Sequence, residues 1–199
     1  MVNRIIVVLM VAVFTMALPA LTLAGTVDLP QTGQTTCYDT AGNVIACAGT
    51  GQDGDWQAGV AWPSPRFTDN VNGTVTDNLT GLIWLKNANC FGTRAWANAL
   101  NDANTLNSGE CGLSDGSVEG DWRLPNVNEL GSLINDEQSN TTTWLNGQGF
   151  SNVQDWWYWS STTHAYYTVN AWRVYMWYGF VGNGPKVDSY YVWPVRAGQ

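Results

Sequence analysis

"GDWRLPNVNEL", residues 120–130, joins a turn to the start of a helix. Asn126 is a residue type that caps helices, and Glu129 three positions later completes a capping box. Val127, Leu130 and Ile134 then recur at helical spacing, which predicts a short amphipathic helix beginning at Asn126. Arg123 lies between Trp122 and Leu124, directly before Pro125. A planar guanidinium there can bind carbonyls or a buried carboxylate and stack on indole. Arg123 is therefore expected to belong to the frame rather than to a ligand site.

Working outward, "TRAWANALNDANTL" (93–106) predicts a second helix, with Thr93 as cap and Trp96, Ala99, Leu100 and Ala103 on one apolar face. Upstream, "RFTDNVNGTVTDNLTGLIWLK" (66–86) alternates short β-type runs with turns at Asn72-Gly73 and at "NLTG". Asp69 and Asn72 beside Gly73 have a faint likeness to a calcium loop. Val71 offers no side-chain oxygen at the next ligand position, so the acids and amides read as turn chemistry. After Trp144 the helical pattern gives way to "WWYWSSTT", "AWRVYMWYGF" and "SYYVWPVR", three aromatic strand-type runs. The expectation is an α+β fold with two helices on a short irregular antiparallel sheet and long loops.

The first residues stand apart. Asn3 and Arg4 precede an apolar run to Leu18, Pro19 breaks it, and small residues follow, so residues 1–24 read as a signal peptide cut after Ala24. No cysteine lies beside that point, and no later apolar run approaches the roughly 20 residues that span a bilayer. Export to the periplasm, the cell surface or the medium follows. Residues 25–65 read as an appendage in which "CYDTAGNVIAC" (37–47) is a disulfide-closed hairpin, and residues 66–199 as the main domain. Four cysteines allow three connectivities. Cys37–Cys47 and Cys90–Cys111 are expected, because each pair is close and separated by turn-forming sequence. No C-x-x-C spacing supports a metal site. Losing residues 1–24 removes one Arg and no acid, moving the net charge from −8 to −9. With its basic residues scattered singly, such a chain does not bind nucleic acid.

Seven of the eight Tyr and six of the twelve Trp follow residue 150, which is more aromatic surface than one small domain can bury. Trp84, Trp122, Trp159 and Trp172 read as core. His164, Tyr166, Tyr167, Arg173, Tyr175, Trp177, Tyr178, Phe180, Asn183, Asp188 and Tyr190 read as the ligand-binding face. The only His is His164, no nucleophile elbow or ordered triad is visible, and the carboxylates lie mostly in turns. The chain is expected to be no enzyme and to need no cofactor.

"FTDNVNGTVTDNLTGLIWLK", "GDWRLPNVNEL", "YWSSTT" and the closing "YVWPVR" together resemble the DUF1566 family, over residues 66–196. This is the domain at the C-terminal end of the Legionella collagen-like adhesin. The resemblance implies a C-type lectin-like fold and an extracellular module that recognises a glycan or a cell-surface protein. Trp193 stands where that family usually has Arg, and the lectin calcium triplets are missing. Some lectin-like domains of this kind are targets of diversity-generating retroelements, which mutate adenines in a C-terminal segment. Residues 164–190 fit that pattern, since Tyr, Val, Gly, Asn, Asp, Ser and His are all reachable from an AAC codon by changing its adenines. Trp172, Val174, Met176, Gly179, Tyr191 and Val192 would then be the fixed frame.

Overall fold

The capping box at residue 126 forms as the spacing requires. In the computed structural model, which describes residues 29–198, the Asn126 side chain accepts from the Asn128 and Glu129 N–H groups, both at 2.9 Å. Glu129 Oε2 returns the bond to the Asn126 N–H at 2.8 Å. The Arg123 guanidinium grips the same carboxylate with two bonds of 2.7 and 2.6 Å. Glu129 thus fixes the cap and the preceding turn at once. Arg123 does not stack on indole; the guanidinium over Trp122 belongs to Arg196, 5.3 Å from the ring centroid. The expected signal peptide lies outside the described residues.

In chain order the elements are β1 (Cys37–Tyr38), β2 (Val44–Ile45), α1 (Asp53–Trp56), β3 (Phe67–Asp69), β4 (Thr74–Asp77), β5 (Ile83–Leu85), β6 (Thr93–Ala95), α2 (Trp96–Thr105), α3 (Val127–Gly131), α4 (Thr141–Asn146), β7 (Trp157–Thr163), β8 (Asn170–Tyr175), β9 (Phe180–Pro185), β10 (Ser189–Tyr191) and β11 (Val195–Arg196). The α+β class holds, but the details differ from expectation. The described residues carry four helical segments rather than two, because α1 and α4 lack the capping box and the spaced apolar residues that mark α3. The helix expected over 93–106 begins at Trp96, and Thr93 is no cap. Residues Thr93–Ala95 pair with β10, and this strand competes successfully for the first turn.

Two main sheets replace the single one expected. β11-β5-β4-β3 form a four-stranded antiparallel sheet, built on the turns at Asn72-Gly73 and "NLTG". β6-β10-β7-β8-β9 form a five-stranded sheet in which β10 runs parallel to β7, with Tyr191 opposite Tyr158. The chain crosses from one sheet to the other within Val192–Pro194. Alternation then sorts the side chains of the larger sheet. Tyr158, Val174 and, just beyond β8, Met176 enter the main core with Trp84, Trp122 and Trp193. Trp159 and Ala171 face the other way, into a smaller cluster with Val192 and with Ala99 and Ala103 of α2.

Cys37 bonds to Cys47 and Cys90 to Cys111. The first bridge closes the β1–β2 hairpin. The second ties the segment before α2 to the loop that returns from it. Residues 29–65 lie against the rest of the chain: Glu137 accepts from the Thr35 and Thr36 N–H groups at 2.7 and 3.1 Å, and Trp62 meets Trp144 at 5.7 Å.

A buried ion pair not legible in the sequence anchors the smaller sheet. The Arg66 guanidinium reaches Asp77 at 3.4 Å and the Ser132 carbonyl, and lies 4.0 Å from the Trp62 ring centroid. Asp77 also accepts from the Leu79 N–H and the Thr80 hydroxyl, both at 3.0 Å. Asp77→Ala strands the buried guanidinium and is expected to cost about 3–5 kcal/mol of unfolding free energy in urea titrations.

Arg123→Ala is expected to cost roughly 1 kcal/mol at neutral pH, since the pair is partly exposed. Burial pushes the Glu129 carboxyl up, but the Arg123 guanidinium and the Asn126 N–H outweigh it, leaving the pKa below 4.5. A depressed carboxyl stabilises above its unfolded pKa and loses that contribution as pH falls through its folded pKa. The deficit of the variant should therefore shrink in acid, as measured by paired denaturation curves at neutral and low pH.

Candidate functional site

The face of the five-stranded sheet that α2 covers runs on beyond the helix. Trp157 precedes Trp159 by two on β7, so both point to that face, and Trp159 pairs across to Arg173 while Trp157 pairs to Tyr175. Tyr175 in turn lies opposite Phe180 on β9. Beyond α2, Trp157 and Tyr175 of this row are partly exposed and Phe180 is exposed.

The exposed row is an aromatic cluster. Tyr175 packs edge-on against Trp156 and Trp157, with centroids 5.6 and 5.2 Å apart, and lies 4.9 Å from Tyr178. Trp157 also meets Phe180 at 5.8 Å, and Trp177 meets Tyr178 at 5.9 Å. Tyr178 is 58% exposed, Phe180 56% and Trp177 43%. The β8–β9 turn that carries them closes on Gly179, whose φ of 78° suits glycine and whose missing side chain leaves room for Ile134.

Arg173 is the charge within this cluster. Its guanidinium lies 4.0 Å from the Trp157 ring centroid and 4.2 Å from that of Tyr190. Gly182 and Gly184 make the space: a Cβ on Gly184 would sit 3.0 Å from the guanidinium carbon, and one on Gly182 3.0 Å from Trp157. Among the described residues, Arg66, Lys86, Arg94, Arg123 and Arg196 form salt bridges, whereas Arg173 and Lys186 do not. Arg173 Nε is buried without a hydrogen-bond partner. A guanidinium held close to two rings, with no carboxylate of its own, keeps its remaining donors for an incoming acceptor. Tyr190 donates to Asp188 at 3.0 Å, and burial followed by that carboxylate raises its pKa, so the phenol stays protonated beside the cation.

The structure divides the eleven expected site residues. Tyr175, Trp177, Tyr178 and Phe180 gather at the β8–β9 turn, with Arg173, Tyr190 and Asp188 adjoining. His164, Tyr166 and Tyr167 lie at the far end of β8. There Tyr166 and Tyr167 meet at 4.6 Å, and His164 stacks on half-buried Trp172 at 4.7 Å. His164 Nδ1 accepts from the Tyr167 N–H at 3.0 Å. Five residue steps of about 3.4 Å separate the ends of β8, so the two groups form separate patches. Asn183 is tied to Asn170 at 2.7 Å. Of the four Trp expected in the core, Trp84, Trp122 and Trp159 are fully buried, whereas Trp172 is only half-buried, because it faces the far end of β8 under His164. Trp156 and Trp157 belong to the cluster, yet the sequence reading left them out. Their signal was the alternation of Trp157 and Trp159 around the inward-facing Tyr158.

Residues 73–196 match the family described as the Lcl C-terminal domain. The chain belongs to that family. No curated protein matches it. The matched span of this Lcl-type chain begins at Gly73 inside the β3–β4 turn and ends at Arg196 in β11, so it contains both helices of the sequence reading and the whole aromatic face. None of the described helices is long and apolar enough to cross a membrane.

No group of three or more metal-binding side chains occurs among the described residues. In the Asp69–Asp77 turn, Asp69 accepts from the Val71 N–H at 3.0 Å and from Lys86 at 2.5 Å, while Asn72 accepts from the Thr74 N–H and hydroxyl at 3.2 and 2.7 Å. The bond from Lys86 leads the causes that hold the Asp69 carboxyl below its usual range. With these oxygens already spent on the turn, a calcium chelator is expected to leave the melting temperature unchanged. A fall of several degrees in a thermal scan would contradict that assignment.

Proposed function

We propose that this chain is an exported, non-catalytic, adhesin-like binding module that grips an extracellular glycan or a cell-surface protein through the β8–β9 face. The observation that carries the reading is the exposed aromatic cluster around an unpaired, ring-stacked Arg173. Exposed rings stack on the apolar faces of sugars or fill pockets on a protein, and the guanidinium donates to hydroxyl, carbonyl or carboxylate oxygens. Membership of the Lcl C-terminal domain family supports the adhesin-like part. The two disulfides support an oxidising destination.

We read the architecture as C-type lectin-like. Support comes from the element order, with two principal helices before the late strands, and from the C-terminal β11 returning to pair with the early β5. A second reading, that residues 164–190 are a segment open to diversification, draws on burial. Val174, Met176 and Val192 are fully buried, while Tyr166, Tyr167, Tyr178 and Phe180 are exposed. Such side chains can change without touching the core. A near-copy of the coding segment that differs almost only at adenines, close to a reverse transcriptase gene, would be its genomic mark.

The test of the main reading is a glycan array run beside a cell-surface pull-down, using the wild-type chain and a Tyr178→Ser/Phe180→Ser variant. The wild type is expected to capture a ligand, and the variant to lose at least about tenfold in affinity at an unchanged melting temperature. Capture by neither would point to a structural envelope protein, and equal capture by both would take the binding face away from the β8–β9 turn.

A further inference from the structure

The opposite face of the same sheet forms one wall of a second, separate site. Trp172 and Val181 lie on it, because they alternate with Arg173 and Phe180. With Val127, Gly131 and Ile134, and with the segment Leu29–Thr32, they enclose a groove of about 700 Å3. That volume lies within the roughly 300–1,000 Å3 typical of small-molecule sites. The walls are mainly apolar, and one charged side chain, Asp136, stands in the lining.

Asp136 is a carboxylate without a side-chain partner among the described residues. No described cation pairs with it, and no described group donates to its side chain, although its backbone N–H is tied to the Thr32 carbonyl at 3.1 Å. Another acid, Asp53, which accepts from the Thr32 hydroxyl, acts on it electrostatically. Partial burial first, and then the Asp53 carboxylate, raise the Asp136 pKa. The apolar walls thus end on one solvent-facing carboxylate, Asp136, with no counter-charge from the described residues.

We propose that this groove binds a small amphiphilic amine, with its aliphatic or aryl body against Ile134, Val181 and Trp172 and its ammonium on Asp136. An anion would be repelled by Asp136, and a neutral ligand would gain nothing from its charge. A second copy of the chain is a poor occupant. Five of its seven described cations are already paired internally, and Arg173 lies on the opposite sheet face. The proposal stands independently of the aromatic-face reading, since the two sites share no residue.

The test is calorimetric titration of the whole exported chain with 3-phenylpropylammonium, against 3-phenylpropanol and 3-phenylpropanoate as near-isosteric neutral and anionic probes. One-to-one binding of the amine is expected, with the alcohol about fivefold weaker and the carboxylate undetectable. Asp136→Asn should weaken the amine about fivefold and remove the difference between amine and alcohol. Val181→Trp, at an exposed position of the edge strand, should fill the groove and abolish binding while the melting temperature stays put. Equal wild-type affinity for amine and alcohol would overturn the proposal, as would full amine affinity in either variant. So would a heat signal that scales with self-association of the chain.

Discussion

One indole joins the two main sheets. Trp193 lies in the short crossing between β10 and β11, fully buried, and its N–H donates to the Leu85 carbonyl of β5 at 2.7 Å. Its ring meets Trp84 of the smaller sheet at 5.4 Å, Tyr158 of the larger sheet at 5.5 Å and Phe150 at 5.1 Å. The edge-to-face contacts with Trp84 and Phe150 each add about 0.5–1.5 kcal/mol beyond the area buried. The hydrogen-bonded N–H removes the cost of burying a polar atom. The two sheets have no strand in common, so this contact sets how they meet. Arg123 completes the crossing from outside, exchanging backbone bonds of 3.0 and 2.9 Å with Val195. The loop that delivers α3 is thereby locked to the end of the chain.

That arrangement decides which rings stay exposed. The inner face of β7 and β8 is used by Tyr158 and Val174 in the main core. α2 is only 10 residues long and covers the outer face near Trp159 and Ala171. The outer face beyond it is left to Trp157, Arg173, Tyr175 and Phe180. An exposed aromatic surface on paired strands is more rigid than the same residues on a free loop, and rigid rings lose little entropy on binding. The groove on the other face depends equally on the scaffold, since α3 and the segment at Leu29–Thr32 form its remaining walls. Just after that segment, Glu137 accepts from the Thr36 hydroxyl and from the Thr35 and Thr36 N–H groups, which together lower its pKa.

Much of the local structure was legible because it is local. The capping box at Asn126, the turns at Asn72-Gly73 and "NLTG", and the hairpin of residues 37–47 each depend on residues within about ten positions of one another. The side chains there satisfy nearby backbone groups whatever the rest of the chain does. Thr93 shows the limit. Its segment reads as the first turn of a helix, and only β10, nearly a hundred residues later, draws it into a sheet. Non-local pairing outbid local propensity there.

By itself the sequence determined the α+β class, the cap, the hairpin turns and the surplus of late aromatic residues, all of which follow from residue type and spacing. Tertiary structure alone decided which aromatics were surplus. Trp157 and Trp159 differ by two positions on one strand and share a face, yet one is buried and the other partly open, because α2 reaches only one of them. Structure alone also split the eleven expected ligand residues between the two ends of β8, put Arg173 between two rings, and brought Asp53 to Asp136. A charge's partner, or its lack of one, is a property of the folded neighbourhood, which no periodicity in the chain encodes.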